Sequence, residues 1–110
     1  MITVENGKIF MNNEIVNLPR PVFEAVEIND NIIVVYKPSR DEYDNVFCYS
    51  RSLETKWRIP PVPVEIGGTG RCVYVAVRVI NGDCYVTDFG GRRFKIDAES
   101  GIALSMEFVK

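Results

Sequence analysis

Histidine is absent from this 110-residue chain. That single fact removes Ser–His and Cys–His nucleophile pairs, imidazole metal ligation and histidine acid–base catalysis together. The three cysteines, Cys48, Cys72 and Cys84, stand far apart in β-prone stretches and lack the Cys-x-x-Cys spacing of a zinc site. They read as reduced, buried thiols, and nothing in their spacing motivates a disulfide. No Gly-Lys-Ser/Thr phosphate loop and no Gly-x-Gly-x-x-Gly opening a helix is present. Carboxylate chemistry is what remains, with Asp41, Glu42 and Asp44 in one segment and Asp83, Asp88 and Asp97 near turns. A carboxylate pair becomes catalytic when its surroundings drive the two pKa values apart. No such convergence is visible, and all six read as solvated turn acids. The expectation is a protein with no catalytic residues, no metal site and no cofactor.

Residue types suited to binding are better represented. The segment Pro38-Ser39-Arg40-Asp41-Glu42-Tyr43-Asp44-Asn45 is longer than the two to five residues, roughly, of a common hairpin loop. Loops that outgrow this length often carry function. Asp41, Glu42 and Asp44 around Tyr43 would combine charge steering with an aromatic anchor, which suits a basic protein partner. These four residues are the candidate partner-binding site. Trp57, by its place in a strand, reads as a packing residue, and Tyr74 and Tyr85 as core or half-core. Arg92-Arg93 follows a Gly-Gly turn and reads as solvated.

The net charge of −2, with 13 basic residues scattered among 15 acidic ones, excludes the clustered Lys/Arg that phosphate backbones demand. Nucleic acid is therefore not an expected partner. The start Met1-Ile2-Thr3-Val4-Glu5 lacks the basic and apolar regions of a signal peptide. No stretch approaches the roughly 18 apolar residues of a membrane span. A cytosolic location without membrane contact is the expectation.

The elements that must position these residues are short strands. Asn6-Gly7 suits a type I′ turn between Ile2–Glu5 and Lys8–Met11, and Asn12-Asn13 leads into Glu14–Leu18. Pro19 and Pro21 end that unit. Val22–Ile28 alternates, with Val22, Glu24, Val26 and Ile28 expected on one face. Ile32–Tyr36 is an unbroken apolar run, as in a strand covered on both faces. Strands are further expected over 45–50, 56–59, 72–80, 84–89, 92–97 and 102–109. Gly67-Gly68-Thr69-Gly70 reads as a flexible tip. No window carries a capped helical period.

An internal repeat underlies the pattern. Ala25–Ile32 aligns with Val77–Cys84, and each unit is four strands in meander order. The stretch Gly82–Gly101 resembles the repeat of quinoprotein-type (PQQ-like) β-propellers: a Gly-x-hydrophobic-Tyr strand, a Gly turn, a strand ending in Asp, and a Glu-x-Gly turn. Trp57 holds the position of the repeat's common tryptophan in the first unit, and Met106 or a neighbour replaces it in the second. The resemblance covers the last third of the chain and, loosely, Ile32–Trp57. A closed ring needs at least about four blades, so it implies an all-β, incomplete (half) propeller-like antiparallel meander. The expected parts are an N-terminal hairpin at 1–18 and units at about 22–59 and 72–109, within one domain.

Exposed blade faces and edges must be blunted or used, which points to a binding protein. In general character the chain is similar to bacterial immunity or antitoxin proteins, which neutralise a toxin enzyme, often a basic nuclease, by direct binding. The alternative is a scaffolding module that homo-oligomerises to complete a propeller. A carbohydrate- or small-ligand-binding domain ranks third, because no arranged aromatic pair supports it.

Overall fold

A computed structural model describes residues 2–68 and 70–109. Among these described residues, eleven antiparallel strands follow one another in three meanders. The first is β1 (Ile2–Glu5), β2 (Lys8–Met11) and β3 (Glu14–Val16). The second is β4 (Val22–Ile28), β5 (Asn31–Tyr36), β6 (Val46–Ser50) and β7 (Thr55–Arg58). The third is β8 (Tyr74–Ile80), β9 (Asp83–Asp88), β10 (Arg92–Ile96) and β11 (Ala103–Phe108). Each sheet keeps its strands in chain order and none closes into a barrel, so the fold is all-β and an incomplete propeller-like meander. The N-terminal unit is a three-stranded sheet, one strand more than a hairpin. The one helical piece among the described residues is a 3-10 turn, Val64–Ile66.

Strand alternation explains the stacking. From β5, Ile32, Val34 and Tyr36 pack with Ile9 and Val16 of the first sheet. Ile33 and Val35 point the other way and pack with Val77, Cys84, Val86 and Phe94 of the third. The second sheet is thus the filling of the stack, and all six residues of β5 are buried, as its unbroken apolar run required. On the third sheet only one face is covered. The opposite face carries Tyr85, Arg93, Lys95 and Glu107, with Lys95 paired to Asp83 at 3.5 Å and Arg93 paired to Glu107 and laid over Tyr85.

The repeat is geometric as well as sequential. β4–β5 and β8–β9 match at an offset of 52 residues, as Ala25–Ile32 on Val77–Cys84 requires, and both first strands bulge at their second residue, Phe23 and Val75. The bulge corrects one expectation: Val22 does not share a face with Glu24, Val26 and Ile28. The extra residue inverts the alternation, so Val22 joins the first-sheet core while Val26 and Ile28 join the other. Glu24 then turns its Oε1 to the backbone N–H of Val77 at 2.9 Å, tying β4 to β8.

By that offset Trp57, opposite Cys48, corresponds to Ser105, opposite Lys95, so the tryptophan's place in the second unit falls to the neighbour of Met106. Trp57 Nε1 donates to the Ala98 carbonyl at 3.0 Å, and its ring lies on Gly101 so closely that a Cβ there would sit 2.7 Å from it. Glycine is required at 101 for this approach, and its φ of +80° is one that side chains resist. Gly67-Gly68 is not loose. Gly67 and Gly68 donate to Val64 and Pro63 carbonyls, and a Cβ on Gly68 would overlap the Val62 carbonyl. Thr69 lies outside the described residues.

Candidate functional site

The long loop of the second sheet and the short turn of the third come together at one end of the stack. Nine residues, 37–45, join β5 to β6, whereas three, 89–91, join β9 to β10. The long loop is fixed by Asn45, which is fully buried. Its Nδ2 donates to the carbonyls of Tyr36 and Tyr74 at 2.8 Å each, and its Oδ1 accepts the Tyr74 N–H at 2.7 Å. One side chain thereby satisfies three buried backbone groups from two sheets. The short turn is fixed by Asp88, only 5% exposed. Its two oxygens accept from the backbone N–H and the Nε of Arg92, both at 2.8 Å. Arg92 continues to the Gly67 carbonyl at 3.0 Å and the Cys72 sulfur at 3.4 Å.

Between these two anchors lies an open groove of about 730 Å³. Its walls are Pro38, Ser39, Arg40 and Tyr43 from the long loop, 71–73 and Val75 from the approach to β8, and 88–90 with Arg92 from the short turn. Phe89 stands 84% exposed on this wall, more than any other large apolar side chain described. Its backbone N–H is held by the Val73 carbonyl at 2.8 Å, so the ring projects from a fixed base. Arg71 stacks over Tyr43 at 5.0 Å and gives its Nε to Asp44 at 3.2 Å, leaving its side chain 60% exposed. Arg40 is exposed and makes no side-chain hydrogen bond or ion pair among the described residues.

The four residues singled out from sequence are brought together only in part. Tyr43 lines the groove, with its carbonyl accepting from Arg58 at 3.0 Å. Asp41 is exposed beside it, on the loop surface. Glu42 faces away to an ion pair with Arg20, which in turn lies over the rings of Tyr36 and Phe47. Asp44 is buried in a left-handed conformation (φ 51°), donates its N–H to the Cys72 carbonyl at 2.7 Å, and receives Arg58 on its own carbonyl. One of its carboxylate oxygens, Oδ1, is buried without a hydrogen-bond partner among the described residues.

The expectation of six solvated acids is therefore corrected. Asp44 and Asp88 are buried and paired, and Glu42 and Asp83 are in ion pairs. Arg92 and Arg93 are likewise not merely solvated, since each holds a carboxylate. The partners come from different places: Arg20 and Arg71 from segments 22 and 27 residues away, Arg92 from four residues on across the short turn, and Lys95 from the neighbouring strand β10. A desolvated carboxylate such as Asp44 or Asp88 requires such a partner.

Sequence reasoning missed Arg40, Arg71 and Phe89. Arg40 was legible as one of the long loop's two cations, with Lys37. Phe89, directly before Gly90-Gly91, falls one residue past β9 on the outward side of its alternation and so had no buried face to occupy. Arg71 carried no local signal. Only the fold sets it beside Tyr43.

The groove has limited acid–base capacity. Asp88 is the one carboxylate among its lining residues, and both of its oxygens are spent on Arg92. Cys72, also in the lining, is buried, and its thiol is pushed above the usual range chiefly by desolvation. Burial pushes Cys48 up to about 11 and Cys84 up to about 12. All three are free, protonated thiols near neutrality and so weak nucleophiles. The described residues hold no cluster of three metal-ligating side chains and no helix long and apolar enough to cross a membrane.

What the site offers is a fixed, open surface with two aromatic rings, cations with spare donors and apolar walls. No curated protein sequence matches this one. A family model described as Domain of unknown function (DUF7957) matches residues 1–108, and the chain belongs to that family.

Proposed function

We propose that this protein is a non-catalytic cytosolic binding protein of the immunity or antitoxin kind, which neutralises a toxin enzyme by docking its loop-bearing end onto it. The observation that carries the reading is the presence of exposed Phe89 and Tyr43 in the lining of one groove, on two loops separately anchored by Asp88 and by Asn45. Rigid aromatics beside arginine are the residue types that dominate protein-binding energy, and a pre-anchored surface loses little entropy on association. The test is capture from native lysate with this chain as bait, followed by expression of the captured protein alone. The reading expects a stoichiometric partner that stops growth unless this chain is co-expressed. A captured partner with no such effect, or none at all, contradicts it.

A second reading, self-association towards a completed propeller, draws support from β11. This edge strand is six residues long and, with its flanks, exposes Ile102, Leu104 and Phe108. Shorter edges such as β7, with Lys56 and Arg58, are better blunted. Against it stands the self-paired, charged outer face of the third sheet, where a further blade would have to pack. Sedimentation separates the two: a stable symmetric oligomer at micromolar concentration favours the second reading, a monomer the first.

A further inference from the structure

The groove's charge specifies what it takes. Arg40, Arg71 and Arg92 line it against the single carboxylate of Asp88, although the chain as a whole carries −2. Arg92 is committed to Asp88, to the Gly67 carbonyl and to Cys72. Arg40 is uncommitted among the described residues, and Arg71 spends its Nε on Asp44 while its side chain remains largely exposed. Of the loop's acids, Glu42 faces Arg20, Asp41 is exposed outside the groove lining, and Asp44 offsets part of the Arg71 charge from behind it, so Arg40 is the groove cation with no acid paired to it among the described residues. Arg71 lies over the Tyr43 ring, and Phe89 and Val73 add apolar surface to the same lining.

We infer that this groove receives an acidic segment of a partner protein, with a Glu or Asp carboxylate meeting Arg40 and Arg71 and an adjacent apolar or aromatic side chain covering Phe89. The inference deepens the binding reading above and rests on it. Guanidinium donors fit a carboxylate in the bidentate geometry that arginine favours. A nucleic-acid strand is the less suited occupant, since it needs a row of phosphate contacts and this end supplies two arginines with spare donors. The long loop would then recognise its partner through Arg40 and Tyr43, with Asp44 serving to hold Arg71 beside them.

The test is a titration of the full ¹⁵N-labelled chain with three probes: acetyl-Glu-Glu-Phe-Glu-Glu-amide, its twin with Lys in place of every Glu, and an oligothymidylate. The acidic peptide is expected to move the amide signals of Arg71, Val73, Phe89 and Gly90, and the basic twin is not. Arg40→Glu, which touches no contact of the fold, should weaken the acidic peptide about tenfold or more. Arg40→Glu/Arg71→Glu should let the basic twin bind, with the thermal melt reporting whether the fold survives loss of the Asp44 pair. Unmoved groove amides, equal binding of the basic twin to the unaltered chain, or tighter binding of the oligonucleotide at the groove would each overturn the inference. Its failure is distinct from that of the inhibitor reading: a growth-arresting partner that binds Arg40→Glu as well as the unaltered chain refutes the groove's specificity and leaves neutralisation standing.

Discussion

From Val22 to Tyr36 and from Tyr74 to Asp88 the chain runs the same course. A seven-residue strand bulges at its second residue, turns through two residues of positive φ, Asn29-Asp30 or Asn81-Gly82, and returns as a six-residue strand. Beyond that point the two sheets part. β5 ends in Tyr36, whose hydroxyl meets that of Tyr49, and nine residues follow before β6. β9 ends in Asp88, clamped to Arg92, and three residues follow before β10. The second sheet is buried on both faces and the third on one. The shared half builds the stack. The divergent half builds the groove, with one sheet contributing a long loop and the other an aromatic on a short turn.

The largest expected effect breaks the short-turn side. Asp88→Ala takes from Arg92 its carboxylate, and losing one partner of a largely buried pair costs about 3–5 kcal/mol. Equilibrium urea unfolding should show that loss. Asn45→Ala tests the long-loop side by the same measurement. It strands the Tyr74 N–H and the Tyr36 and Tyr74 carbonyls, and a cost of about 3 kcal/mol follows from leaving buried groups unsatisfied. If Asn45→Ala proves neutral, the two sides are not separately anchored and the comparison fails.

Gly101→Ala probes the clasp between the sheets. The new Cβ must push Trp57 off the turn and adopt an unfavourable φ, so a loss of about 2 kcal/mol is expected, with Trp57 fluorescence shifting as the indole moves. Alkaline pH gives a smaller and graded effect. Cys48 and Cys84 have folded-state pKa values raised to about 11 and about 12, above the ordinary thiol value. The folded chain therefore retains protons that the unfolded chain releases. Stability from these thiols is complete below about pH 8.5 and falls as pH rises towards 11–12. Urea midpoints between pH 8 and 11 should decline, and Cys84→Val should flatten that decline. Asp41→Ser, on the exposed loop surface, should change stability by less than about 0.5 kcal/mol.

Much of the stack was legible in the chain. Asn-Gly and Asn-Asn dipeptides fixed the hairpin turns because the left-handed backbone there tolerates few other residues. The unbroken run Ile32–Tyr36 identified the doubly covered strand, and the repeat offset followed from matching the turns. The bulges were not legible, since Phe23 and Val75 look like ordinary strand residues and only pairing across the sheet leaves them over. The site was legible by position and misread by charge. Glu42 and Asp44 looked like display residues because Arg20 and Arg71, which hold them, lie 22 and 27 residues away. Local sequence cannot separate a presented carboxylate from a spent one. Phe89 was hidden because it sits beside Gly90-Gly91, where turn signals outweigh everything else.

The account stands most directly on where a partner touches this surface. The decisive measurement is the dissociation constant of the captured partner for the unaltered chain, for Phe89→Ala, and for Asp30→Ser at the opposite, hairpin-turn end. The account predicts a loss of about tenfold or more, or roughly 1.4 kcal/mol, for Phe89→Ala and no change for Asp30→Ser. Unchanged affinity for Phe89→Ala with a loss for Asp30→Ser would place binding at the other end of the stack and contradict the account.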